Sequence, residues 1–572
     1  MELLEKHFDT AFAAPDGIKK LRELILTLAM QGKLVPQDPQ DQSARELLNE
    51  IEAEKKRLVK EGKIETGSRE DANNAKEIKL EEVPYELPEG WEWVKFGKIA
   101  FQITDGAHHT PTYVDRGIPF LSVKDMSSGQ LSFSGTRFIS KDQHDNLSKR
   151  CHPEKGDLLL TKIGTTGVPV LVETDEEFSI FVSVALIKFS QKNISGRYLS
   201  LLVKSPLVKK QSEDGTEGVG NKNLVLRKIN NFIFPLPPLA EQRRIVAKID
   251  QLMARCDELE KLRAEWEQKR LTVHTAALNR LIIATENSDF GTAWHFITQH
   301  FGELYSVKEN VTELRKAILH LAVMGKLVQQ DSKDQPASEL LKEIEAEKKR
   351  LVKEGKIKAS EPFPEIKKED QAHPLPSGWE WVRLGEIVTK IGSGSTPRGG
   401  KSAYVTAGIP FLRSQNIWND GLRLNDVAFI SPKTHELMSG TKVAPLDILL
   451  NITGASLGRC ALMPDDIKDA NVSQHVTIIR TAIQNLRRYI HLLLLSPYCQ
   501  TMIWARQVGM AREGLSKKVF EQFEIPLPPL AEQHRIVAKT DQLMALCDEL
   551  EQRTDKATGK RTALLNAVMA KV

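Results

Sequence analysis

The chain is written twice, and this duplication limits its possible folds more than any other feature. LRELILTLAMQGKLVPQD (21–38) returns as LRKAILHLAVMGKLVQQD (314–331), and EIEAEKKRLVKEGKI (50–64) returns unchanged at 343–357. LPEGWEWVKFGKI (87–99) returns as LPSGWEWVRLGEI (375–387), and GIPFL (117–121) returns at 408–412. PLPPLAEQRRIVAKIDQLMARCDELE (235–260) returns at 526–551 with three differences. The order is kept and the offset stays at about 290 residues, so one large unit is duplicated and a short-period solenoid is excluded.

Each half divides into three parts. A helical pair comes first: Ile18, Leu21, Ile25 and Leu28, and again Val311, Leu314, Ile318 and Leu321, fall at helical spacing. Gly32 and Gly325 stand where a C-cap belongs, and Gly62 and Gly355 stop the second, highly charged helix. A mixed α/β part follows. GIPFLSV, DLLLTKI, VPVLVE and FVSVALIKF read as strands, as do GIPFLRS, DILLNIT and HVTIIRT in the second copy. One amphipathic helix is expected in each, at 196–206 and 487–497, with Pro206 and Pro497 ending it.

The third part is a long helix, with the prolines of PLPPLAEQ just before its start. Ile245, Ile249, Leu252, Cys256 and Leu259 carry a 4-3-4-3 seam, repeated by Ile536, Thr540, Leu543, Cys547 and Leu550. A helix of about 44 residues spans about 65 Å. Two such helices can bury their seams against each other. The expected organisation is a helical region (1–84), a first mixed domain (85–238), a long helix (239–290), a repeated helical region (291–372), a second mixed domain (373–529) and a second long helix (530–572).

Lys+Arg (80) and Asp+Glu (76) nearly cancel, for a net charge of +4. A basic face is permitted but not demanded. Five cysteines without a CxxC pair read as reduced thiols. The N-terminus lacks a basic segment leading into an apolar core, and no run approaches the length of a membrane span, so a cytoplasmic protein without a membrane partner is expected.

No catalytic constellation is found. Gly394 to Ser402 has one residue too many for a phosphate-binding P-loop, and Pro397 interrupts it. Pro464-Asp465-Asp466-Ile467-Lys468 is too short to gather carboxylates and a lysine from separate strands, and reads as a turn. The Asp/Asn-Pro-Pro-aromatic signature of amino-methyltransferases is absent, as is HExxH. His108 and His109 lack further ligands, so no metal site is expected.

The polar loops of the mixed domains are the candidate DNA-reading surface. In the first these are Thr104, His108, His109, Thr110 and Tyr113; then Lys162, Thr165 and Thr166; then Lys222 and Asn223 in a Gly/Lys/Asn loop (218–223). In the second they are Ser395, Thr396, Arg398 and Lys401; Arg413, Gln415 and Asn416; Asn451 and Ser456; and Ser516 and Lys517 in the stretch 512–518. Arg and Lys match guanine O6 and N7, Asn and Gln match adenine N6 and N7, and hydroxyls hold phosphates. EKKR (54–57, 347–350) reads instead as a solvated helix face with pairs such as Glu52–Lys56. Near-copied helices suit two copies of one partner, and diverged loops suit two different ligands; equally, helices that pack together tolerate less change.

The doubled LPxGWEWV, GIPFL, (G/L)D(I/L)LL and PLPPLAEQxRIVAK segments, each of the last followed by LMAxCDELE, resemble the specificity subunits of type I restriction-modification systems. GIKKLRELIL…GKLVPQD and EIEAEKKRLVKEGKI are similar to the branch with an extended N-terminal region. The resemblance covers essentially the whole chain. It implies an α/β (α+β) fold: two pseudo-twofold-related mixed target-recognition domains joined by two long antiparallel coiled-coil helices. It further implies that each domain reads half of a split double-stranded DNA target while the helices dock two modification subunits. Those subunits would use S-adenosylmethionine, and separate restriction subunits ATP and Mg²⁺. This chain would itself bind no cofactor and catalyse nothing. The alternatives are a protein-binding coiled-coil scaffold without DNA sequence preference, and a self-sufficient enzyme with an unfamiliar site.

Overall fold

The computed structural model describes residues 9–10, 12–64, 78–218, 222–284, 287–506 and 514–570. The chain forms two compact units, one of residues up to 266 together with 557 onward, the other of residues 267–556. Each unit holds the first part of one long helix and the last part of the other. Among the described residues no helix is long and apolar enough to cross a membrane.

In the first unit the helical pair is Gly17–Met30 and Ala44–Lys60. Ser43 caps the second helix, accepting from the Glu46 amide while Glu46 returns the bond. The mixed domain opens on strand Glu92–Lys95 and closes on Ile233–Leu236, and these two strands pair antiparallel. Every residue between them is one excursion from that clasp. The excursion contains a four-stranded antiparallel sheet in the order Ala100–Asp105, Val184–Phe189, Leu158–Thr161, Pro169–Leu171. A second sheet runs Tyr113–Val114, Arg137–Ile139, Ile118–Leu121, Ser179–Ile180, the last pair parallel.

The second unit repeats this plan. Lys308–Val323 and Ala337–Lys353 are its helical pair, and Glu380–Arg383 pairs with Glu524–Leu527 as its clasp. Its main sheet runs Val388–Ser393, Val476–Thr481, Ile448–Asn451, Cys460–Leu462. The companion sheet gains a fifth strand, Lys442–Val443, and a hairpin, Ile417–Trp418 with Gly421–Leu422, that has no counterpart among the described residues of the first unit.

The sequence led us to expect one amphipathic helix before the closing strand, ended by proline. The structure has two in tandem: Gly196–Lys204 then Pro206–Asp214, and Arg487–Leu495 then Pro497–Ala505. Proline ends the first helix and starts the second, because at the first helical position its missing N–H costs no bond.

The duplicated motifs meet at one junction per unit. Trp91 Nε1 donates to Glu241 Oε2 at 2.8 Å, and Trp379 Nε1 to Glu532 Oε2 at 3.0 Å. Gln37 and Gln330 donate to the other oxygens of these glutamates, each at 3.1 Å. Arg244 pairs with Asp41 and Arg535 with Asp334, both at 2.6 Å. Thus GWEWV, GKLVxQD and LAEQxR act as one joint between helical pair, clasp and long helix. Burial pushes the Glu241 and Glu532 carboxyls up, against the lowering effect of their donors.

The seam packs differently from expectation. Ile245, Ile249 and Cys256 are buried in the first unit's main core with Ile25 and Met30 of its own helical pair; Leu252 lies at the edge, and Leu259 is 49% exposed. Ile536 is buried in the second unit's core, whereas Leu543, Cys547 and Leu550 join Val311, Ile318 and Leu321 together with Ala277, Leu278 and Leu281 from the end of the first long helix. Thr540 is buried with its hydroxyl unpartnered. The amphipathic helical pairs offer a broader apolar face than a lone helix can, so the seams are covered mainly by them.

Candidate nucleic-acid interface

Candidate segments gather at one end of each main sheet, while Tyr113 lies on a strand of the companion sheet. In the first unit, Asp105 ends an edge strand and Thr161 ends a central one. The loop after Thr161 is tied to the Lys222 segment, because Leu224 N donates to Lys162 O at 2.7 Å and Gly164 N to Lys222 O at 3.0 Å. Gly106 lies so close to Ile180 that a Cβ would fall 1.9 Å from the carbonyl oxygen. Only glycine lets the His108 loop leave the sheet there. Segments 104–110, 162–167 and 222–223 therefore share one rim.

The second unit builds its rim in the same register. Leu515 N donates to Ile452 O at 3.0 Å, and Gly394 approaches Val472 O with the same 1.9 Å Cβ clash. Asn451 Nδ2 donates to Ser414 O at 2.8 Å, bringing the 413–416 turn against the 452–456 loop. Thr396 Oγ1 reaches Gln474 Oε1 at 3.3 Å, and Thr453 Oγ1 lies 2.7 Å from His475 Nδ1.

Three of the candidate side chains point inward. Lys162 is buried and donates to Asp105 Oδ2 at 2.8 Å; Arg150 (2.6 Å) and His108 (2.9 Å) share the other oxygen. Burial alone would raise the Asp105 carboxyl, but the hydrogen bonds from Lys162 and His108 outweigh it and hold it below its ordinary value. Lys162 is thus a strut for the His108 loop. Asn416 is buried, accepting from Arg413 N at 2.9 Å and donating to Arg423 O at 2.8 Å. Asn451 is fully buried under the same turn. These three positions brace the rim, and their side chains are not on the exposed surface. The reason lies in the loop ends: a backbone turning away from a sheet leaves carbonyls and amides that a polar side chain must satisfy.

The other candidates do reach the surface. His108, His109, Thr110, Thr165 and Lys222 are exposed in the first unit, and Thr104, Tyr113, Thr166 and Asn223 are half-buried. In the second, Ser395, Thr396, Arg398, Gln415, Ser516 and Lys517 are exposed, and Arg413 and Ser456 half-buried. Gln415 and Arg413 are held by Asp426, and Ser516 caps the helix Lys517–Glu521. The side chain of Lys401, and residues 219–221, 512 and 513 of two candidate loops, lie outside the described residues.

The structure adds residues that motif reading missed. Arg137 stacks over Tyr113 at 4.5 Å, and Arg459 and Arg423 stack over Trp418 at 3.8 and 4.8 Å. Gln474 and His475 stand among the candidate loops but precede a strand that reads as core. Only their polarity against a run of Val and Ile could have marked them.

Comparison with known proteins gives this rim its context. A family model described as the type I restriction modification DNA specificity domain matches residues 88–266 and again 376–558. The chain is 33% identical over 558 residues to the type I restriction enzyme EcoAI specificity subunit of Escherichia coli, covering 94% of this chain and 90% of that protein. Against the Escherichia coli EcoEI specificity subunit it is 32% identical over 592 residues, covering 96% and 93%. The solved HsdS subunit from Thermoanaerobacter tengcongensis is 20% identical, covers 84% of this chain and 97% of its own, and overlays with a TM-score of 0.41. Two matched domains and near-full-length similarity to specificity subunits show that the chain belongs to the type I restriction-modification DNA specificity family, whose work is sequence-specific recognition of DNA.

Proposed function

We propose that each rim reads one half of a split DNA target and that the helical framework holds modification subunits. The observation that carries this reading is the contrast within the duplication. The joints repeat to within a few tenths of an ångström, whereas the rims differ in side chain, strand count and charge. A repeated framework serves a repeated partner, and diverged rims serve two different half-sites.

In this reading the present chain supplies recognition and assembly in the cytoplasm. Methyl transfer from S-adenosylmethionine to adenine belongs to two modification subunits, and ATP- and Mg²⁺-dependent translocation and cleavage belong to restriction subunits. The first long helix offers such a partner Leu259, Leu262 and Trp266, which are 49, 51 and 63% exposed on one helical face. The matching positions of the second helix are Leu550, Arg553 and Ala557. Leu550 packs in the second unit with Val311 and Leu321, so this exposed apolar face is not repeated on the second helix.

Single-molecule methylation sequencing tests the reading, using cells that express this chain with its cognate modification subunit and cells lacking the chain. A split motif with adenine methylated on both strands is expected only in the first. Exchanging residues 100–230 for the same region of another such subunit should change one half-site. A swap that alters both halves, or neither, removes the one-domain, one-half-site assignment.

A further inference from the structure

The two rims differ at one matched corner. In both units a capped turn leads to a fully buried residue: Ser122 N donates to Asp125 before Met126, and Arg413 N to Asn416 before Ile417. The next residue is Ser127 in the first unit and Trp418 in the second. Facing it is the residue that ends the neighbouring loop, which is Val168 or Arg459. These two match in register, since Thr161 N donates to Val168 O at 3.1 Å and Asn451 N to Arg459 O at 2.8 Å. In the first unit the corner is an open cleft of about 270 Å³, lined by Ser127, Ser128, Gly129, Thr166 and Val168 among others. In the second, indole and guanidinium groups stand there.

We propose that Arg459 reads a guanine in the second half-site, with Trp418 as its platform. The inference rests on the reading of the rim as the DNA face. Trp418 Nε1 donates to Gln415 O at 2.9 Å, which fixes the ring. Arg459 Cζ lies 3.8 Å from the centre of that ring, so the intrinsically planar guanidinium is held against the indole and its reach is restricted. Arg423 shares the ring at 4.8 Å but is paired with Asp420 at 2.7 Å. Among the described residues Arg459 has no carboxylate within ion-pair distance, so two cations on one ring meet a single anion. The unmet group is a flat, oriented double donor on the loop that also carries Thr453 to Ser456. Guanine O6 and N7 present the matching pair of acceptors in one plane. A phosphate can accept the same fork, and reading the motif position by position separates the two.

The test uses the full chain assembled with its modification subunit and reads the methylated motif position by position. Arg459→Ala should keep the first half-site and the spacing while one G·C pair of the second half loses its requirement, with discrimination there falling roughly tenfold to a hundredfold. Arg459→Lys, which keeps the charge and most of the stem but not the fork, should relax the same position and serves if the alanine variant fails to assemble. Trp418→Leu should relax it partially. A uniform fall in methylation at every site with the motif intact would assign Arg459 to phosphate and overturn the proposal, as would an unchanged motif or a change in the first half-site. A wild-type complex that yields no split motif would instead overturn the underlying reading of the rims.

Discussion

The joints and the rims of this molecule went different ways after one duplication. At the joints, Trp, Glu, Gln, Arg and Asp recur with nearly equal distances in both units. At the rims, the Asp105–Lys162 pair of the first unit is replaced by Ser393 and Ile452, which occupy the same strand ends. Glu241 and Glu532 each satisfy two donors inside a packed core, so a change at any one leaves the others unpaired and costs free energy at once. A rim needs only that its loop backbone be satisfied, and several polar solutions do that. The lesson is that mutual hydrogen bonding in the core fixes the joints, and the rims vary because more than one set of polar side chains can satisfy a loop backbone.

The largest expected break in the comparison is at Lys162. Lys162→Ala leaves Asp105 buried with part of its charge uncompensated, and about 3 kcal/mol of local stability should be lost. Amide exchange across 104–110 should accelerate accordingly, while Ile452→Ala should loosen 393–398 far less. Installing the other unit's solution, Asp105→Ser with Lys162→Ile, should restore most of the protection; a double variant as labile as the single one would sink the strut assignment. Because the folded Asp105 value is depressed, the pair's contribution is complete above the ordinary carboxylate value of 3.8 and fades as pH falls through the lower folded one. The second unit lacks this acid-sensitive link at that corner.

The joints should respond alike. Glu241→Ala leaves the Trp91 and Gln37 donors unmet and should cost about 2–3 kcal/mol, and Glu532→Ala should cost the same within about 0.5 kcal/mol. Exchange at the clasp strands is the readout, and a clear inequality would show that the joints are not equivalent. A smaller contrast is set by two glycines of like backbone. Gly32 (φ +68) and Gly62 (φ +67) are both left-handed, but a Cβ at Gly32 would fall 2.3 Å from Pro88 Cγ and one at Gly62 would meet nothing within 4 Å. Gly62→Ala should cost about 1 kcal/mol and Gly32→Ala at least about 1 kcal/mol more, compared by local exchange of the two helices. The smallest effect is at Glu52, whose ion pair with Lys56 (2.6 Å) is mostly exposed; Glu52→Gln should change melting by no more than a few tenths of a kcal/mol.

Much of this was legible in the residues. The helical pairs, the central strands and the long helices follow from spacing, glycine stops and the prolines of PLPPLAEQ. Other elements were not. The EWVK and IFPL clasp strands are four residues each and have partners about 140 residues away, so no local period announces their pairing. The helix begun at Pro206 was hidden because the same proline stops one helix and starts another. At the rim, residue type placed the loops but could not separate braces from readers: Lys162, Asn416 and Asn451 carry the same donors as Lys222 and Gln415 and use them inward.

By itself the sequence determined the duplicated plan, the family, and the absence of the signatures of methyl transfer and nucleotide binding. Those rest on residue identity and order, which a chain states directly. Tertiary structure decided what covers the helix seams, which polar side chains brace the rims, and that Trp418 and Arg459 meet where the first unit has an open cleft. These are facts of contact between segments distant in the chain, set by how buried polar groups find partners and how apolar faces find cover, and no local pattern encodes them.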